Sequence, residues 1–312
     1  MERLRARAPY ATGGGEHSRG ADEAAEQEGT ETRSPALFVH GSILGVTLAC
    51  LGDLLLDVIV RMDAASTDSE AAAETRVGAG GQAANVAAWA AELGAAARFV
   101  GKVGDDAAGE VARGELERRG VDVVGPRAEG RNGVVVSLVG EDGSRTMLSD
   151  RGVSPQLRAE ELEMGWFRGV EHLHLSGYSL LRNPIAEAAA KAAGAVGAQG
   201  GKVSVDLSSA AGIRDFGPEQ LLRRLELLAP AVVFANEEEL EALGSAPAAA
   251  TLVVKRGPAG FSVGEETVPA AAVDAVDTTG AGDALAAGFL VGGPELAQQA
   301  AARCVAQLGA MP

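Results

Sequence analysis

Apolar runs and helix-forming stretches alternate along the second half of the chain. Short runs of mainly aliphatic residues predict buried strands at 172–177, 202–208, 231–236 and 251–257. The stretches between and after them predict helices at 184–196, 218–228, 237–243, 281–290 and 295–307. This alternation is typical of an α/β fold with a doubly wound, mainly parallel sheet that is flanked by helices.

The first half begins with the same kind of pattern. The predicted elements are, in order, strands at 46–51 and 57–62, a helix at 83–93, a strand at 98–103 and a helix at 106–119. A turn at Gly80-Gly81 precedes the first of these helices. Asp105 and Asp106 precede the second, and we expect both to act as N-caps.

The segment from residue 121 to 148 is rich in strand patterns and contains no helix pattern. Glu141-Asp142-Gly143 predicts a hairpin turn within it. We therefore expect residues 57–79 and 121–150 to form a small β-sheet that is separate from the main sheet.

The composition of the chain limits the classes of binding partner and the cellular compartment that we expect. The 312 residues carry a net charge of -16, which disfavours binding to nucleic acid and to anionic membranes. Cys50 and Cys304 lie in apolar runs, so we interpret them as buried thiols of a cytoplasmic, reducing environment. His172 and His174 share one strand face without a third metal ligand at suitable spacing, and we expect them to line the core or a pocket.

Residues 1–45 lack apolar periodicity, and their composition indicates disorder. We expect folding to begin near Val46. The extension could therefore reflect a mis-assigned start, with Val46 as the true initiator.

The strongest chemical signal is DTTGAGDALAAGFL at residues 277–290. It predicts a strand that ends near Val276, a tight turn, and a helix that begins at Ala281. Gly280 and Gly282 allow backbone N–H groups to approach a ligand, and the helix N-terminus favours an anion such as phosphate. Asp283 is suited to accept the proton of an alcohol that attacks this phosphate. The alternative is a glycine-rich helix start without a ligand.

The run DTTGAGDA resembles the signature of the ribokinase-like carbohydrate kinases, the phosphofructokinase-B family. GGQAAN at 80–85 and GKVGDDAAG at 101–109 resemble that family's N-terminal signature. The resemblance extends over roughly residues 46–312. It implies a kinase that uses ATP and Mg²⁺ to phosphorylate a hydroxyl group of a small sugar or sugar acid. In such a kinase Asp283 is the catalytic base, and Gly280, Ala281 and Gly282 form the anion hole.

The resemblance also implies a sugar site at Asp57, Gly80, Gly81 and Asn85. From the residues alone, Asp57 could instead cap a turn, and Asn85 could cap the helix that follows the glycines. The small sheet would be a lid over the sugar and a contact in a homodimer. Leu55 stands where ribose-specific members carry Asn, so the preferred sugar is not defined.

Two further segments resemble the nucleotide site of the family. Asn236 and Glu239 match an NxxE pattern that supports Mg²⁺ indirectly; a solvated acidic first helical turn is the alternative. Asp277 and Thr279 match positions that hold a monovalent cation such as K⁺ in several relatives, and a K⁺ requirement is left open.

The segment VVKRGPAG resembles one that covers the adenosine part of the nucleotide, and it predicts nucleotide contacts at Lys255, Gly257 and Gly260. A hairpin can have the same spacing. There is no GxxxxGK[ST] motif, which excludes a P-loop kinase, and the dinucleotide fingerprint GxGxxG does not follow the first strand.

Two other functions stay open at this point. A nucleoside kinase on the same fold, for adenosine or pseudouridine, would need a stacking or apolar platform, and the predicted lid lacks Tyr and Trp. A non-catalytic sugar or nucleotide sensor is disfavoured by the intact Asp283 and its glycines. We expect only small-molecule ligands, namely a sugar and ATP.

Overall fold

The computed structural model describes residues 47–62, 72–140 and 145–312. The strands of this part of the chain are β1 (Thr47–Leu51), β2 (Leu55–Met62), β3 (Ala73–Gly80), β4 (Ala96–Val100), β5 (Val103–Gly104), β6 (Asp122–Val124), β7 (Arg127–Ala128), β8 (Asn132–Val139), β9 (Arg145–Gly152), β10 (His172–Ser176), β11 (Lys202–Asp206), β12 (Val232–Asn236), β13 (Thr251–Lys255), β14 (Phe261–Val263) and β15 (Glu266–Val268). The α-helices are α1 (Gln82–Glu92), α2 (Ala107–Arg118), α3 (Ile185–Gly197), α4 (Ala210–Phe216), α5 (Pro218–Leu228), α6 (Glu237–Leu243), α7 (Ala281–Gly292) and α8 (Pro294–Val305).

The central sheet has the strand order β15-β14-β13-β12-β11-β10-β1-β4-β6. In this spatial order, all neighbouring strands between β13 at one end and β6 at the other pair in parallel. β14 and β15 add an antiparallel hairpin at the β13 edge. The chain order reverses between β1 and β10, so a crevice forms where their carboxyl ends diverge. The predicted doubly wound, mainly parallel α/β fold is therefore confirmed.

Apolar side chains cover both faces of this sheet. One buried cluster includes Trp89, Phe234 and the alanines of α1 and α7, and the other includes Leu173, Ile185 and Leu221. The buried alanines of α1 and α7 let these two helices pack closely in the first of these clusters. The indole N–H of Trp89 donates to the backbone oxygen of Ala310, which ties the C-terminal segment to α1.

A second sheet of four strands has the order β3-β2-β8-β9. We call it the small sheet. β2 pairs antiparallel with β3 and parallel with β8, and β9 closes the other edge. Helix α2 packs against β2, β3 and β8. A sheet separate from the main one was expected from the lack of a helix pattern here, and its existence is confirmed.

The boundaries of two predicted strands are wrong. β6 was expected in the small sheet, but it pairs with β4 at the edge of the central sheet, so the second small-sheet segment begins at Asn132. The strand predicted at 98–103 ends at Val100, because Gly101 and Gly125 bring the two backbones close together. A Cβ on Gly125 would lie 1.9 Å from the oxygen of Gly101.

Other local predictions also need correction. No strand ends near Val276, which is exposed and lies in an irregular segment after β15. The periodicity also did not reveal α4, which has only seven residues. Asp106 caps α2 through Gly109, as expected, whereas the Asp105 carboxylate accepts the N–H of Gly130 and does not cap the helix.

Cys50 and Cys304 are both buried and free, as predicted. Within the described residues, no helix is long and apolar enough to cross a membrane. The predictions for residues 1–45, for folding from Val46 and for the Glu141-Asp142-Gly143 turn lie outside the described residues, as do residues 63–71 of the first lid segment.

Candidate active site

Polar residues collect where the parallel strands of the central sheet end. Asp53 follows β1, Asp206 ends β11, Asn236 ends β12 and Lys255 ends β13. Because these carboxyl ends lie at one edge of the sheet, the four side chains lie along the edge that contains the reversal point. The start of α7 faces the same edge, since Gly282 lies beside the Lys255 side chain.

The turn before α7 depends on Gly280. Its φ of 78° is left-handed, and a Cβ there would lie 2.6 Å from the Cα of Ala310. The Asp277 carboxylate accepts the N–H groups of Thr279 and Gly309, at 2.7 and 2.9 Å, and so fixes the turn to the C-terminal segment. The first N–H groups of α7 have no partners inside the helix and can bind an anion.

Asn85 and Asp283 belong to motifs 198 residues apart in sequence, and they are in direct contact. The Asn85 Nδ2 group donates to Asp283 Oδ2 at 2.7 Å. The N-capping alternative for Asn85 is therefore wrong, since α1 has no side-chain cap. The Oδ1 atom of Asn85 is buried and has no hydrogen-bond partner among the described residues, so its capacity to accept a hydrogen bond is unused.

The carboxyl group of Asp283 has a raised pKa of about 7. Burial is the largest cause, because it disfavours the charged form, and the nearby Asp206 and Asp57 carboxylates act in the same direction. The Asn85 hydrogen bond and the Lys255 charge act in the opposite direction. A carboxylate with a pKa near neutrality can accept a proton and later release it to solvent.

The predicted sugar-site residues lie together beside this pair. Asp57 is within β2 rather than in a turn, so the turn-cap alternative is wrong. A Cβ on Gly80 would lie 2.1 Å from the Asp57 carboxyl carbon, and one on Gly81 would lie 2.4 Å from the backbone oxygen of Asp53. The pKa of Asp57 is raised to about 6, first by burial and then by the Glu115 carboxylate.

Lys255 and Asp206 form a buried ion pair with Nζ and Oδ2 2.6 Å apart. Asp206 was not predicted as a site residue, although an acid at the end of an apolar strand was a usable signal. Its other oxygen accepts the N–H of Ser208, whose φ of 69° is left-handed. The Ser208 hydroxyl group in turn contacts Gln82 at the start of α1.

A cavity of about 500 Å³ lies beside Lys255 and the start of α7. Apolar and backbone atoms form most of its wall, from Gly257, Gly260, Phe261, Ala281, Leu285 and Val305. Gly260 has a φ of 89°, and a Cβ on it would lie 2.1 Å from the oxygen of Val268. The three residues predicted to contact the nucleotide therefore line one cavity next to the anion-binding turn.

Asn236 and Glu239 form a reciprocal capping box at the start of α6. Each side chain accepts the other residue's backbone N–H, at 2.8 and 2.9 Å. Glu239 is buried, which excludes the solvated-turn alternative for this residue. Burial raises its pKa despite the attraction of Lys255, and the Asp206 charge adds to the increase.

No pattern in the sequence indicates the role of Arg151 in β9. Its guanidinium group binds the Asp53 carboxylate through two hydrogen bonds, at 2.6 and 2.9 Å. It also lies over the Tyr178 ring, with 5.5 Å to the centroid. A cation from the small sheet is thus fixed at the end of β1, close to Gly81.

Comparison with known proteins decides the family. A model of the pfkB family of carbohydrate kinases matches residues 47–310. The chain belongs to this family. An ATP-dependent ribose-1-phosphate kinase of Halopiger xanaduensis is 38% identical over 262 residues, which are 78% of this chain and 84% of that protein. This chain is therefore an ATP-dependent sugar kinase, a phosphotransferase that acts on an alcohol group.

Solved structures agree with this membership. The adenosine kinase of Sinorhizobium meliloti superposes with a TM-score of 0.76 at 27% identity, over 86% of this chain and 96% of that chain. A fructokinase of Xylella fastidiosa with bound ATP gives a TM-score of 0.70 at 22% identity, over 86% and 96% of the two chains, which shows the shared fold.

Proposed function

We propose that this kinase transfers the γ-phosphoryl group of ATP to a hydroxymethyl-type alcohol, with Asp283 as the general base. The observation that carries the proposal is the 2.7 Å hydrogen bond between Asn85 and Asp283. It joins the N-terminal and C-terminal motifs at the first turn of α7. The acceptor oxygen forms a bond to the γ-phosphorus, the bond to the β,γ-bridging oxygen breaks, and ADP leaves.

Each residue of the proposed site has a separate role in this transfer. Asp283 takes the hydroxyl proton, and the backbone N–H groups at Gly280, Ala281 and Gly282 stabilise negative charge on the phosphoryl oxygens. Asp57 accepts hydrogen bonds from sugar hydroxyl groups, as does Asn85 through Oδ1. Buried polar groups of this kind reject analogues that lack the matching hydroxyl group.

The nucleotide is proposed to occupy the cavity beside Lys255. Its wall is mostly apolar, which suits a purine base, and Gly257 and Gly260 let the backbone approach the ligand. In this proposal the phosphate chain lies at the turn before α7, where the helix N-terminus favours an anion.

Mg²⁺ is implied by the family resemblance, and the donor chemistry at this edge of the sheet fits it. Hard cations prefer oxygen ligands, and the buried carboxyl group of Glu239 lies beside the proposed phosphate site. Asn236 and Glu239 would support the ion indirectly. When bound, it neutralises charge on the phosphate oxygens.

K⁺ dependence remains a prediction that rests on the resemblance of Asp277 and Thr279 to cation-binding positions. The Asp277 carboxylate already accepts two backbone N–H groups. A cation there would therefore act by fixing the turn before α7, and activity should rise with K⁺ if the prediction is correct. The free, buried thiols support a cytoplasmic location.

For the acceptor we propose a small sugar that carries an anionic group, such as ribose 1-phosphate. The similarity to the Halopiger enzyme supports this choice, and so does Arg151 at the sugar end of the site. One end of such a substrate presents a hydroxymethyl group to Asp283, and the other presents its anion to the guanidinium group. The small sheet that carries Arg151 would close over the sugar and exclude water.

The test is coupled ADP release with Mg·ATP, with and without K⁺, over a panel of acceptors. The panel contains ribose 1-phosphate, ribose, fructose, sugar acids and nucleosides. The proposal predicts the highest kcat/KM for a phosphorylated or acidic sugar. A signal with nucleosides alone would support a nucleoside kinase, and turnover of neutral sugars alone would overturn the anionic acceptor. A folded, ATP-binding protein without any turnover would favour a sensor.

A further inference from the structure

Lys255 forms an ion pair with Asp206 and also forms part of the wall of the nucleotide cavity. Its Nζ atom lies 2.6 Å from Asp206 Oδ2, and the two side chains are 15% and 1% exposed. An ammonium group has three donors, and Asp206 uses one of them. The lysine side chain also forms part of the wall of the nucleotide cavity. Donors therefore remain for a ligand at that wall.

The lysine also lies against the anion-binding turn. A Cβ on Gly282 would be 3.4 Å from Lys255 Cδ and 3.5 Å from Nζ. The ammonium group is thus within a short distance of the first turn of α7. Asp283 follows Gly282 directly and attracts Lys255 electrostatically. The cation is placed between the cavity and the proposed base.

The surrounding charge explains why this cation remains protonated. Burial lowers the pKa of Lys255, but the carboxylates of Asp206, Glu239 and Asp283 together raise it above its ordinary value. A phosphate chain brings further negative charge into a region that already contains these three acids. A fixed cation at this point reduces the repulsion between the phosphate and the carboxylates.

We propose that Lys255 is a catalytic residue that donates a hydrogen bond to the γ-phosphoryl group as it moves from ATP to the acceptor, and that Asp206 is the positioning residue that holds it there. The proposal rests on the proposed function and adds a specific contact to it. Lys255 stays protonated throughout, and the acceptor proton goes to Asp283. Asp206 acts through the lysine and does not contact the phosphate.

The experiment compares Lys255→Met, Lys255→Arg and Asp206→Asn with the wild-type protein. Lys202→Met is the matched control, because Lys202 lies exposed at the opposite end of β11. Two quantities are measured in each variant: kcat for ADP release, and the ratio of the affinities for a non-hydrolysable ATP analogue and for ADP. The ratio isolates the γ-phosphate and does not require turnover.

Lys255→Met should lower kcat by roughly 10²–10³-fold, as loss of one transition-state donor does. It should weaken binding of the ATP analogue by roughly tenfold, while the affinity for ADP changes little. Lys255→Arg should restore part of both. Asp206→Asn should lower kcat while the analogue still binds better than ADP, and Lys202→Met should match the wild type.

The proposal would be overturned if Lys255→Met lost equal affinity for the ATP analogue and for ADP. A kcat of this variant close to that of the wild type would also overturn it. If Lys255→Met does not fold, the affinity ratio of Lys255→Gln decides, since this variant removes the charge, and a ratio equal to that of the wild type with reduced thermal stability would indicate a structural pair. If the wild-type protein phosphorylates no acceptor, the proposed function fails on its own. The affinity ratio then still tests the lysine contact.

Discussion

The pair formed by Asn85 and Asp283 connects residues that are distant in sequence into one chemical unit. The amide donates to one carboxylate oxygen, and its own Oδ1, which has no partner among the described residues, is the atom that we propose to accept a substrate hydroxyl group. One side chain can thus orient the base and locate the alcohol at the same time. A positioned base within hydrogen-bonding reach of its substrate contributes typically 10²–10⁴-fold to a rate.

This pair makes a pH prediction. Asp283 must be deprotonated to act as a base, and its pKa is about 7, so kcat of the wild type should fall as the pH drops below about 7. The Asn85 hydrogen bond lowers that pKa, so Asn85→Leu should move the acidic limb to higher pH. The measurement is kcat against pH from 5 to 9 at saturating acceptor. An unchanged limb would show that Asn85 does not tune the base.

Motif spacing could predict Asp283, Asn85 and the glycines because each has a local reason for its residue type. The roles of Asp206 and Arg151 could not be predicted in this way, since their partners come from other strands. Asp206 faces Lys255 only because β11, β12 and β13 are consecutive neighbours in the sheet. Such contacts depend on strand order, which periodicity does not contain.

At the scale of elements, the start of α7 is set by a close contact with the C-terminal segment. Gly280 has left-handed backbone angles and lies against Ala310, so its role combines conformation with packing. The irregular segment that precedes it explains why the strand predicted at Val276 is absent. The chain is held there by Asp277 and by hydrogen bonds to Val305, so it does not need a sheet partner.

A left-handed alanine without any clash lowers the free energy of unfolding by roughly 1–2 kcal/mol. Gly280→Ala should lower it by more than this, because the new Cβ also clashes with Ala310. The variant should impair turnover as well. Gly244→Ala is the matched control, because Gly244 has the same left-handed conformation, with φ 75° and ψ -10°, and no described atom lies within 4 Å of the place that a Cβ would take. Free energies of unfolding from urea titration and kcat measure both effects. Equal costs for the two variants would contradict the proposed contact at Gly280.

At the scale of the molecule, the reversal of strand order between β1 and β10 brings motifs from both halves of the chain to one edge. The alternation of strands and helices was enough to predict this class of fold. It could not assign β6, because a three-residue strand fits either sheet by pattern alone. Only the pairing with β4 decides its place, and that pairing depends on the close approach of Gly101 and Gly125.

The small sheet leads to a prediction about assembly. Val77, Val58, Val136 and Leu148 lie in one row across its four strands, and Val77 and Leu148 are 54% and 55% exposed. An apolar row of this kind is suited to contact a second copy of the chain. We predict a homodimer that Val77→Lys with Leu148→Lys converts to a monomer.

Light scattering after size-exclusion chromatography measures the mass of both proteins. Leu227→Lys is the control, because Leu227 is exposed in α5, outside the small sheet. It should leave the dimer intact. A wild-type protein that is monomeric at micromolar concentration would contradict the prediction.

Asp283→Asn tests whether Asp283 is the general base. Burial raises the folded-state pKa to about 7 from its ordinary 3.8, so the folded protein holds this proton more tightly than the unfolded chain. The stability from this group is therefore present below pH 3.8 and is lost as the pH rises to about 7. At pH 8 the variant removes an unfavourable buried charge, and its Tm should not fall.

The measurement is the rate of ADP release by Asp283→Asn at pH 8 with saturating acceptor and Mg·ATP, alongside acceptor affinity. We expect a kcat lower by roughly 10²–10⁴-fold, with acceptor binding largely retained. A folded variant whose kcat is close to that of the wild type would contradict it.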